Sequence, residues 1–220
     1  MVNSGDTGFV LICAAFVFFM TPGLALFYGG LGRRKNVVNT MLSSLFLVGV
    51  SIVLWVLVGY SLSFSGNIGG VIGNLDWIGM KGVGMEAGPY ADSIPNLAFA
   101  AFQMMFAIIT PALITGATAG RMKFKASFVF MILWSFIVYY PMAHMVWGQG
   151  GLLGDGLLHS VDFAGGNVVH ISSGISALVL CIALGKRQGY ESLSYRIHNI
   201  PMVALGASIL VFGWFGFNAG

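Results

Sequence analysis

The clearest structural signal in the chain is a stretch that starts on an acidic residue and ends on a histidine, Asp162-Phe163-Ala164-Gly165-Gly166-Asn167-Val168-Val169-His170. The next charged residue is Lys186, so the histidine belongs to a long apolar segment. An ionisable side chain inside a membrane is costly, and it usually faces a pathway or a polar partner rather than lipid. The stretch therefore predicts a membrane-spanning helix that carries a functional histidine.

The composition of the whole chain is that of a membrane protein. Charged residues make up 8% of the 220 residues and hydrophobic residues 57%, whereas a soluble domain carries about 25% charged residues. We therefore predict an all-α polytopic membrane protein that forms a single membrane domain over residues 1–220. Six segments are long enough to cross a hydrocarbon core of about 30 Å: Gly8–Leu31, Val37–Phe64, Asn96–Gly120, Ala126–Trp147, Ala164–Leu184 and Ile200–Gly220.

The charged residues predict how these segments are oriented. Nine of the ten basic residues follow segments one, three or five, and only Lys81 lies in an alternate loop. Because loops rich in Lys and Arg stay in the cytoplasm, the N-terminus and the loops 65–95 and 148–163 are expected outside. The net charge of +3 follows from this asymmetry, so the expected surrounding is a lipid bilayer and no nucleic-acid partner is predicted.

His170 and Asp162 are the first candidate site residues. Measured from Asp162, the rise of a helix puts His170 about 10–12 Å below the outer surface. Desolvation favours a neutral imidazole, which offers one donor and one acceptor to a small polar solute. The alternative is a structural hydrogen bond to a neighbouring helix. Asp162 is expected to cap the helix, and its charge would favour a cation near the outer mouth.

Aromatic residues form the second candidate constellation. Phe102 and Phe106 share a helix face at a spacing of four residues, Trp147 ends the fourth segment, and Phe217 lies in the sixth. Such rings could bind a small cation through cation–π attraction, worth up to ~2 kcal/mol when desolvated. The alternative for each ring is packing or a place in the interfacial aromatic belt.

The remaining reactive side chains indicate no catalysis. His144 is interpreted as structural, His159 and His198 as solvated loop residues, and Cys13 and Cys181 as small hydrophobes. The sequence contains no nucleophile motif, Walker loop, dinucleotide fingerprint or metal-ligand spacing. We therefore predict that the protein is not an enzyme and has no catalytic residue, metal or cofactor. An intramembrane enzyme would need a nucleophile–base or metal constellation.

Several of these motifs together resemble the ammonium transporter family, in the Amt/Mep branch of the ammonium transporter and Rhesus superfamily. Rhesus proteins usually lack the Phe-Ala-Gly-Gly portion of the first motif. The matching motifs run over the whole chain: Pro22-Gly-Leu-Ala-Leu-Phe-Tyr-Gly-Gly-Leu31, Phe102-Gln-x-x-Phe106, Ala143-His-Met-Val-Trp147-Gly, Asp162-Phe-Ala-Gly-Gly-x-Val-Val-His170 and Trp214-Phe-Gly-Phe217-Asn-Ala-Gly220.

The resemblance implies a fold of eleven helices, built from two inverted five-helix repeats around one pore per subunit and assembled as a homotrimer. Residues 1–220 would be the first repeat and the first helix of the second, the front part of a longer polypeptide.

The resemblance also implies roles for the candidate residues. Trp147, Phe102 and Phe106 match rings that recruit ammonium at an outer site, and Phe106 and Phe217 match a stacked gate below it. His170 matches the first of two hydrogen-bonded pore histidines, and Asp162 an acidic residue that supports the outer site indirectly.

The expected function is therefore that of a transporter or channel of the cell membrane. It would bind ammonium outside, deprotonate it and pass ammonia through a hydrophobic, histidine-lined pore. The alternative is an ammonium sensor that signals to a cytoplasmic partner with little flux. A trimeric PII-type nitrogen-signalling protein is a possible partner, and the basic loops 33–35, 121–125 and 186–196 could dock it.

Overall fold

The computed structural model describes residues 1–190 and 196–220 of the chain. In these residues, six helical spans are long and apolar enough to cross a membrane, which confirms the predicted fold class. The spans are Ser4–Leu31, Arg34–Phe64, Asn96–Thr118, Phe124–Gly156, Gly166–Leu184 and Ile200–Ala219. Their bounds agree with the predicted segments to within a few residues, except that the fourth span continues past Trp147.

Eight α-helices make up most of these spans. They are α1 (Ser4–Leu31), α2 (Val37–Leu54), α3 (Tyr60–Phe64), α4 (Asn96–Thr118), α5 (Phe124–Trp134), α6 (Tyr140–Trp147), α7 (Ser172–Leu184) and α8 (Ile200–Ala219). Two short 3₁₀ turns lie at Arg34–Asn36 and Ile78–Met80.

Four π-helical turns interrupt or extend these helices, at Trp55–Gly59, Ser135–Tyr139, Leu152–Gly156 and Gly166–Ile171. The indole of Trp55 donates to the Ala100 carbonyl oxygen at 3.0 Å, and the indole of Trp134 donates to Ser176 Oγ at 2.8 Å. The π turns at Trp55–Gly59 and Ser135–Tyr139 lie inside segments that were predicted as regular helices. One extra residue in a helical turn barely changes the apolar pattern of the sequence, so the pattern does not reveal it.

Loops segregate to the two ends of the helix bundle as the charges predicted. At the predicted outer end, the Asn3 amide donates to the Ser93 carbonyl oxygen at 2.7 Å. At the predicted cytoplasmic end, the His198 amide donates to the Gly32 carbonyl oxygen at 3.1 Å. The loop 65–95 also contains a short antiparallel hairpin, β1 (Ala87–Gly88) and β2 (Ala91–Pro95), which the all-α prediction did not include.

The core surrounds α4, the most buried of the spans, and α8 packs along α1. Close approach of α1 and α8 depends on glycine, since a Cβ atom at Gly206 would lie 2.4 Å from the Phe27 nitrogen. Small residues allow such backbone approach between membrane helices. This packing brings the end of α8, with Phe217, beside the first half of α4.

Candidate functional site

The predicted aromatic residues meet at one cavity at the predicted outer end. The cavity has a volume of ≈ 380 Å³. It lies where α4 begins and where α6 and α8 end. Its lining includes five residues of the candidate set, Phe102, Phe106, Trp147, Asp162 and Phe217. We call this space the aromatic cavity.

Phe106 is the central ring of the cluster. Its centroid lies 4.9 Å from that of Phe102 and 6.2 Å from that of Trp147, with interplanar angles of 80° and 72°. Edge-to-face contacts of this kind suit the quadrupole of aromatic rings. The cavity therefore brings several aromatic rings to its wall, and aromatic faces attract small cations.

Phe106 also contacts Phe217, with centroids 4.7 Å apart and an interplanar angle of 68°. The two rings are buried, with exposed fractions of 3% and 4%. The resemblance implied a stacked pair, but the rings meet edge to face. The Phe217 ring then contacts the His170 ring at a centroid distance of 5.7 Å, so a series of rings leads from the aromatic cavity to the histidine.

The π turn Gly166–Ile171 sets the orientation of His170. Both the backbone amide and Nδ1 of His170 lie 3.0 Å from the carbonyl oxygen of Gly165. A carbonyl oxygen can only accept, so Nδ1 carries the proton, and in the neutral imidazole Nε2 is then a hydrogen-bond acceptor. The imidazole lies parallel to the Trp214 indole at 6.1 Å and 12°, and it is exposed at the surface of the described chain.

His170 lies closer to the start of its helix than predicted. The helix begins at Gly166, because Gly165 has a φ of 87°, a left-handed conformation that glycine adopts readily. Helical rise therefore separates Gly166 from His170 by only about 6 Å. The prediction counted helical rise from Asp162, and the depth of His170 below the outer surface stays a prediction.

Asp162 binds the start of this helix with both carboxylate oxygens. Oδ1 accepts from the amides of Gly165 and Gly166 at 2.7 Å each, and Oδ2 accepts from Asn167 at 2.7 Å and Val168 at 3.0 Å. This confirms the predicted capping, although Asp162 precedes the helix by several residues. A carboxylate has about four lone-pair sites, so these bonds occupy its acceptor capacity.

Asp162 is also linked to the aromatic cluster. The Trp147 indole donates to the backbone oxygen of Asp162 at 2.8 Å. One residue therefore holds both the turn that presents His170 and the ring that closes one side of the aromatic cavity. Its influence on a bound cation would act through position and long-range charge.

Two lining residues, Tyr90 and Gln103, were missed by the sequence analysis. Tyr90, between the hairpin strands, stacks on Phe99 at 5.2 Å and donates to the Phe64 carbonyl oxygen at 2.7 Å. Burial raises the pKa of the Tyr90 hydroxyl, partly offset by the hydrogen bond from the Gln149 amide. Gln103 Oε1 is buried and has no hydrogen-bond partner among the described residues.

The sequence contains only weak indications that Tyr90 and Gln103 belong to the site. Tyr90 is an isolated aromatic residue in a glycine-rich loop, and only the folded hairpin carries it to the cavity. Its position brings part of the loop 65–95 to the wall of the aromatic cavity. Gln103 lies inside the Phe102–Phe106 motif, where its polarity in an apolar segment was the only indication.

The other histidines lie apart from this arrangement. His144 is fully buried, with Nδ1 3.1 Å from the Ser63 carbonyl oxygen and Nε2 3.4 Å from Asn67 Oδ1, in agreement with a structural role. His159 is exposed in a loop and His198 is half-buried. Among the described residues, no three His, Cys, Asp or Glu side chains form a group suited to a metal ion.

Comparison with known proteins gives one consistent result. The family model for the Ammonium Transporter Family matches residues 8–220. The chain is 50% identical over 220 residues to an ammonium transporter of Bacillus subtilis, covering all of this chain and 53% of that protein. It is 47% identical over 224 residues to an ammonium transporter of Aquifex aeolicus, again covering all of this chain and 50% of the relative.

Solved structures give the same picture. The crystal structure of Saccharomyces cerevisiae Mep2 matches with a TM-score of 0.89 and 38% identity, over all of this chain and 50% of that one. A protein described as a sensor Amt protein matches with a TM-score of 0.85 and 30% identity, over 97% of this chain and 53% of that one. The chain thus spans about half the length of the relatives that it matches.

Proposed function

The chain belongs to the ammonium transporter family, a family of membrane transporters rather than enzymes, and on this basis we propose that the whole protein carries ammonium across the cell membrane. The observation that carries the proposal is the series of ring contacts that runs from the aromatic cavity through Phe106 and Phe217 to the imidazole of His170. Each part of this path suits one step in moving a small cation that can lose a proton.

The first step is recruitment of ammonium at the aromatic cavity. Phe102, Phe106 and Trp147 provide rings around a space of ≈ 380 Å³, and each desolvated cation–π contact contributes up to ~2 kcal/mol. Their attraction replaces part of the hydration that the cation loses on entry. The indole bond from Trp147 to the Asp162 backbone oxygen holds one side of this wall in place.

The second step is deprotonation at the buried pair Phe106 and Phe217. A bare cation in an apolar passage carries a large desolvation cost, and ammonium avoids it by giving its proton to water on the side of the aromatic cavity and continuing as ammonia. Potassium has a similar size but no proton to lose. A pore of this type therefore selects for ammonium over potassium.

The third step is passage of ammonia along His170. Its Nε2 lone pair can accept an N–H of ammonia, which replaces a hydrogen bond that the solute made to water. The Nδ1–H bond to the Gly165 oxygen holds the ring in this tautomer. The histidine therefore lowers the cost of dehydrating a neutral polar solute.

A sensor is the second candidate function, since the matched solved structures include the sensor Amt protein. In this alternative, ammonium binds at the same aromatic cavity, and occupancy alters a cytoplasmic partner with little flux. The two functions share the recruitment step and differ in whether solute passes Phe106 and Phe217.

The proposal places the N-terminus outside and the protein in a homotrimer in the cell membrane. The proposed cytoplasmic partner is a PII-type protein, which would dock on the basic loops 33–35, 121–125 and 186–196. Residues 191–195 of the last loop lie outside the described residues. The described part of these loops carries Arg33, Arg121 and Arg187 to one end of the bundle.

The deciding experiment is an ammonium pulse onto proteoliposomes that contain the intact protein. Transport predicts either a transient current specific to ammonium, recorded on a solid-supported membrane, or alkalinisation of the vesicle interior without current. Potassium pulses should give neither signal. Silence in both signals, with ammonium binding retained, would contradict transport and support the sensor.

A further inference from the structure

The hydroxyl group of Tyr90 links two parts of the chain at the predicted outer end. Tyr90 lies between the hairpin strands β1 and β2 and lines the aromatic cavity. Its hydroxyl donates at 2.7 Å to the carbonyl oxygen of Phe64, the last residue of α3. It also accepts from the Gln149 amide at 3.2 Å. A hydroxyl group has one donor and two acceptor lone pairs, so both bonds form together.

The Gln149 amide belongs to the turn that directly follows Trp147. The helix α6 ends at Trp147, and Gly148 leaves it in an extended conformation. The Gly148 amide still donates to the His144 oxygen at 2.9 Å. The next amide along the chain is the one that Tyr90 binds, so the backbone that carries the Trp147 ring out of α6 is held by Tyr90.

The Tyr90 ring is itself firmly packed. It lies parallel to Phe99, at 5.2 Å and 6°, and meets Phe64 edge to face, at 5.0 Å and 80°. Burial raises the pKa of the Tyr90 hydroxyl, so the group stays protonated at neutral pH and keeps its donor. The Gln149 amide therefore has an acceptor whose position is fixed by two aromatic contacts and a hydrogen bond.

We infer that Tyr90 is a positioning residue for the recruitment of ammonium, because its hydroxyl holds the turn after Trp147 and so fixes the indole at the wall of the aromatic cavity. The indole itself is tied through Nε1 to the Asp162 oxygen at 2.8 Å. Attraction between a cation and a ring depends on the position of the ring face, so a displaced indole should lower the affinity for ammonium. The inference rests on the proposed function.

Two variants separate the hydroxyl group from the rest of this contact. Tyr90→Phe keeps the ring and its packing but loses both hydrogen bonds of the hydroxyl. Gln149→Ala is the matched control, because it keeps the amide that donates to Tyr90. It loses a different bond between the same turn and the same loop, from Nε2 to the Pro89 oxygen at 3.0 Å.

The first measurement is ¹⁹F NMR of the intact protein labelled with 5-fluorotryptophan. The Trp147 signal is assigned by its loss in Trp147→Phe. In Tyr90→Phe this signal should shift or broaden, whereas in Gln149→Ala it should keep its position and width. The signal of Trp134, at the end of α5, should be unchanged in both variants and reports that the fold is intact.

The second measurement is the dependence of flux on ammonium concentration in proteoliposomes. Tyr90→Phe should raise the concentration for half-maximal flux about two- to tenfold, the range for one lost hydrogen bond. Its maximal flux should stay within about twofold of the wild type, because the hydroxyl acts on recruitment and a general loss of structure would lower the maximal flux as well. Gln149→Ala should change neither quantity by more than about twofold.

An unchanged Trp147 signal or an unchanged half-maximal concentration in Tyr90→Phe would overturn the proposal, and so would an equal change in Gln149→Ala. Should Tyr90→Phe not fold, amide exchange in the wild-type protein decides. The Gln149 amide must then be protected, and exchange at the rate of a free amide would overturn the proposal. A wild type without flux would contradict transport, whereas the Trp147 signal would still decide whether Tyr90 positions this ring.

Discussion

His170 derives its hydrogen-bonding character from a single carbonyl oxygen. The Gly165 oxygen accepts from both the backbone amide and Nδ1 of His170, so the acceptor nitrogen is the one that remains available to a solute. A glycine at 165 matters for this geometry because the residue whose carbonyl accepts both bonds has a left-handed φ of 87°, which glycine adopts readily. The conformation of Gly165 thus bears on both the tautomer of His170 and the start of its helix.

Replacing His170 with alanine should abolish selective passage while the oligomer still assembles. Loss of a hydrogen bond to a desolvated solute costs ~1–3 kcal/mol, so ammonium flux in proteoliposomes should fall by about 5- to 150-fold. His159→Ala, in an exposed loop, is the matched control and should keep full flux. Normal flux with intact selectivity in His170→Ala would remove the proposed role.

Trp147 should control affinity for ammonium. In Trp147→Leu the cation–π attraction is lost, and up to ~2 kcal/mol corresponds to about thirtyfold weaker binding. Trp147→Phe loses the indole bond to the Asp162 oxygen but retains an aromatic ring. Its affinity for ammonium should therefore fall less than that of Trp147→Leu. The measurement is the ammonium concentration that gives half the maximal signal, and equal losses in both variants would argue against a cation–π contribution.

Among the elements, the helix that starts at Gly166 depends on a residue outside it. Asp162 satisfies four amides at the start of that helix, which would otherwise lack partners. The turn between Asp162 and Gly166 is therefore as much part of the site as the helix itself. Its start could not be read from the apolar pattern, since Phe163 and Ala164 are apolar but lie outside the helix.

The contact between α1 and α8 gives an element-scale prediction. A Cβ atom at Gly206 would lie 2.4 Å from the Phe27 nitrogen and 2.6 Å from the Gly23 oxygen, and backbone atoms cannot move aside cheaply. Gly206→Ala should therefore lower the thermal unfolding midpoint, at a cost of ~1–3 kcal/mol.

Gly49→Ala on α2 is the matched control for Gly206→Ala, because nothing lies within 4 Å of the added Cβ. It should leave the midpoint unchanged or slightly raised, since alanine favours helix more than glycine does. An unchanged midpoint in Gly206→Ala, measured in the same detergent, would show that α8 can shift away from α1 without loss of stability.

At the scale of the whole molecule, two cavities with different linings lie at opposite ends of the helix bundle. The aromatic cavity, with Asp162 in its lining, lies at one end of the bundle, and a cavity lined by Arg33, Arg121, Lys186 and Arg187 lies at the other. Such a distribution orients the protein in its bilayer.

The orientation itself can be measured by cysteine accessibility in whole cells. A cysteine at Ser4, in a background without Cys13 and Cys181, should react with a membrane-impermeant maleimide. A cysteine at Lys123 should react only after the cells are opened. The reverse labelling pattern would place the N-terminus inside and invert the proposed direction of the path.

The sequence by itself determined the six spans, their alternating direction and the residue types of the site. These depend on local composition, because hydrocarbon demands long apolar helices and charge bias sets their sides. The motifs also selected Phe102, Phe106, Trp147, Asp162, His170 and Phe217 as candidates. No property of a single segment could reveal that Tyr90 joins them.

Only the tertiary structure decided how these residues meet. It set the edge-to-face contact of Phe106 and Phe217, the late helix start at Gly166 and the tautomer of His170. It also gathered Arg33, Arg121 and Arg187 around one cavity. The physical reason is that ring angles, proton positions and charge convergence depend on distances between segments far apart in sequence, which periodicity and composition do not encode.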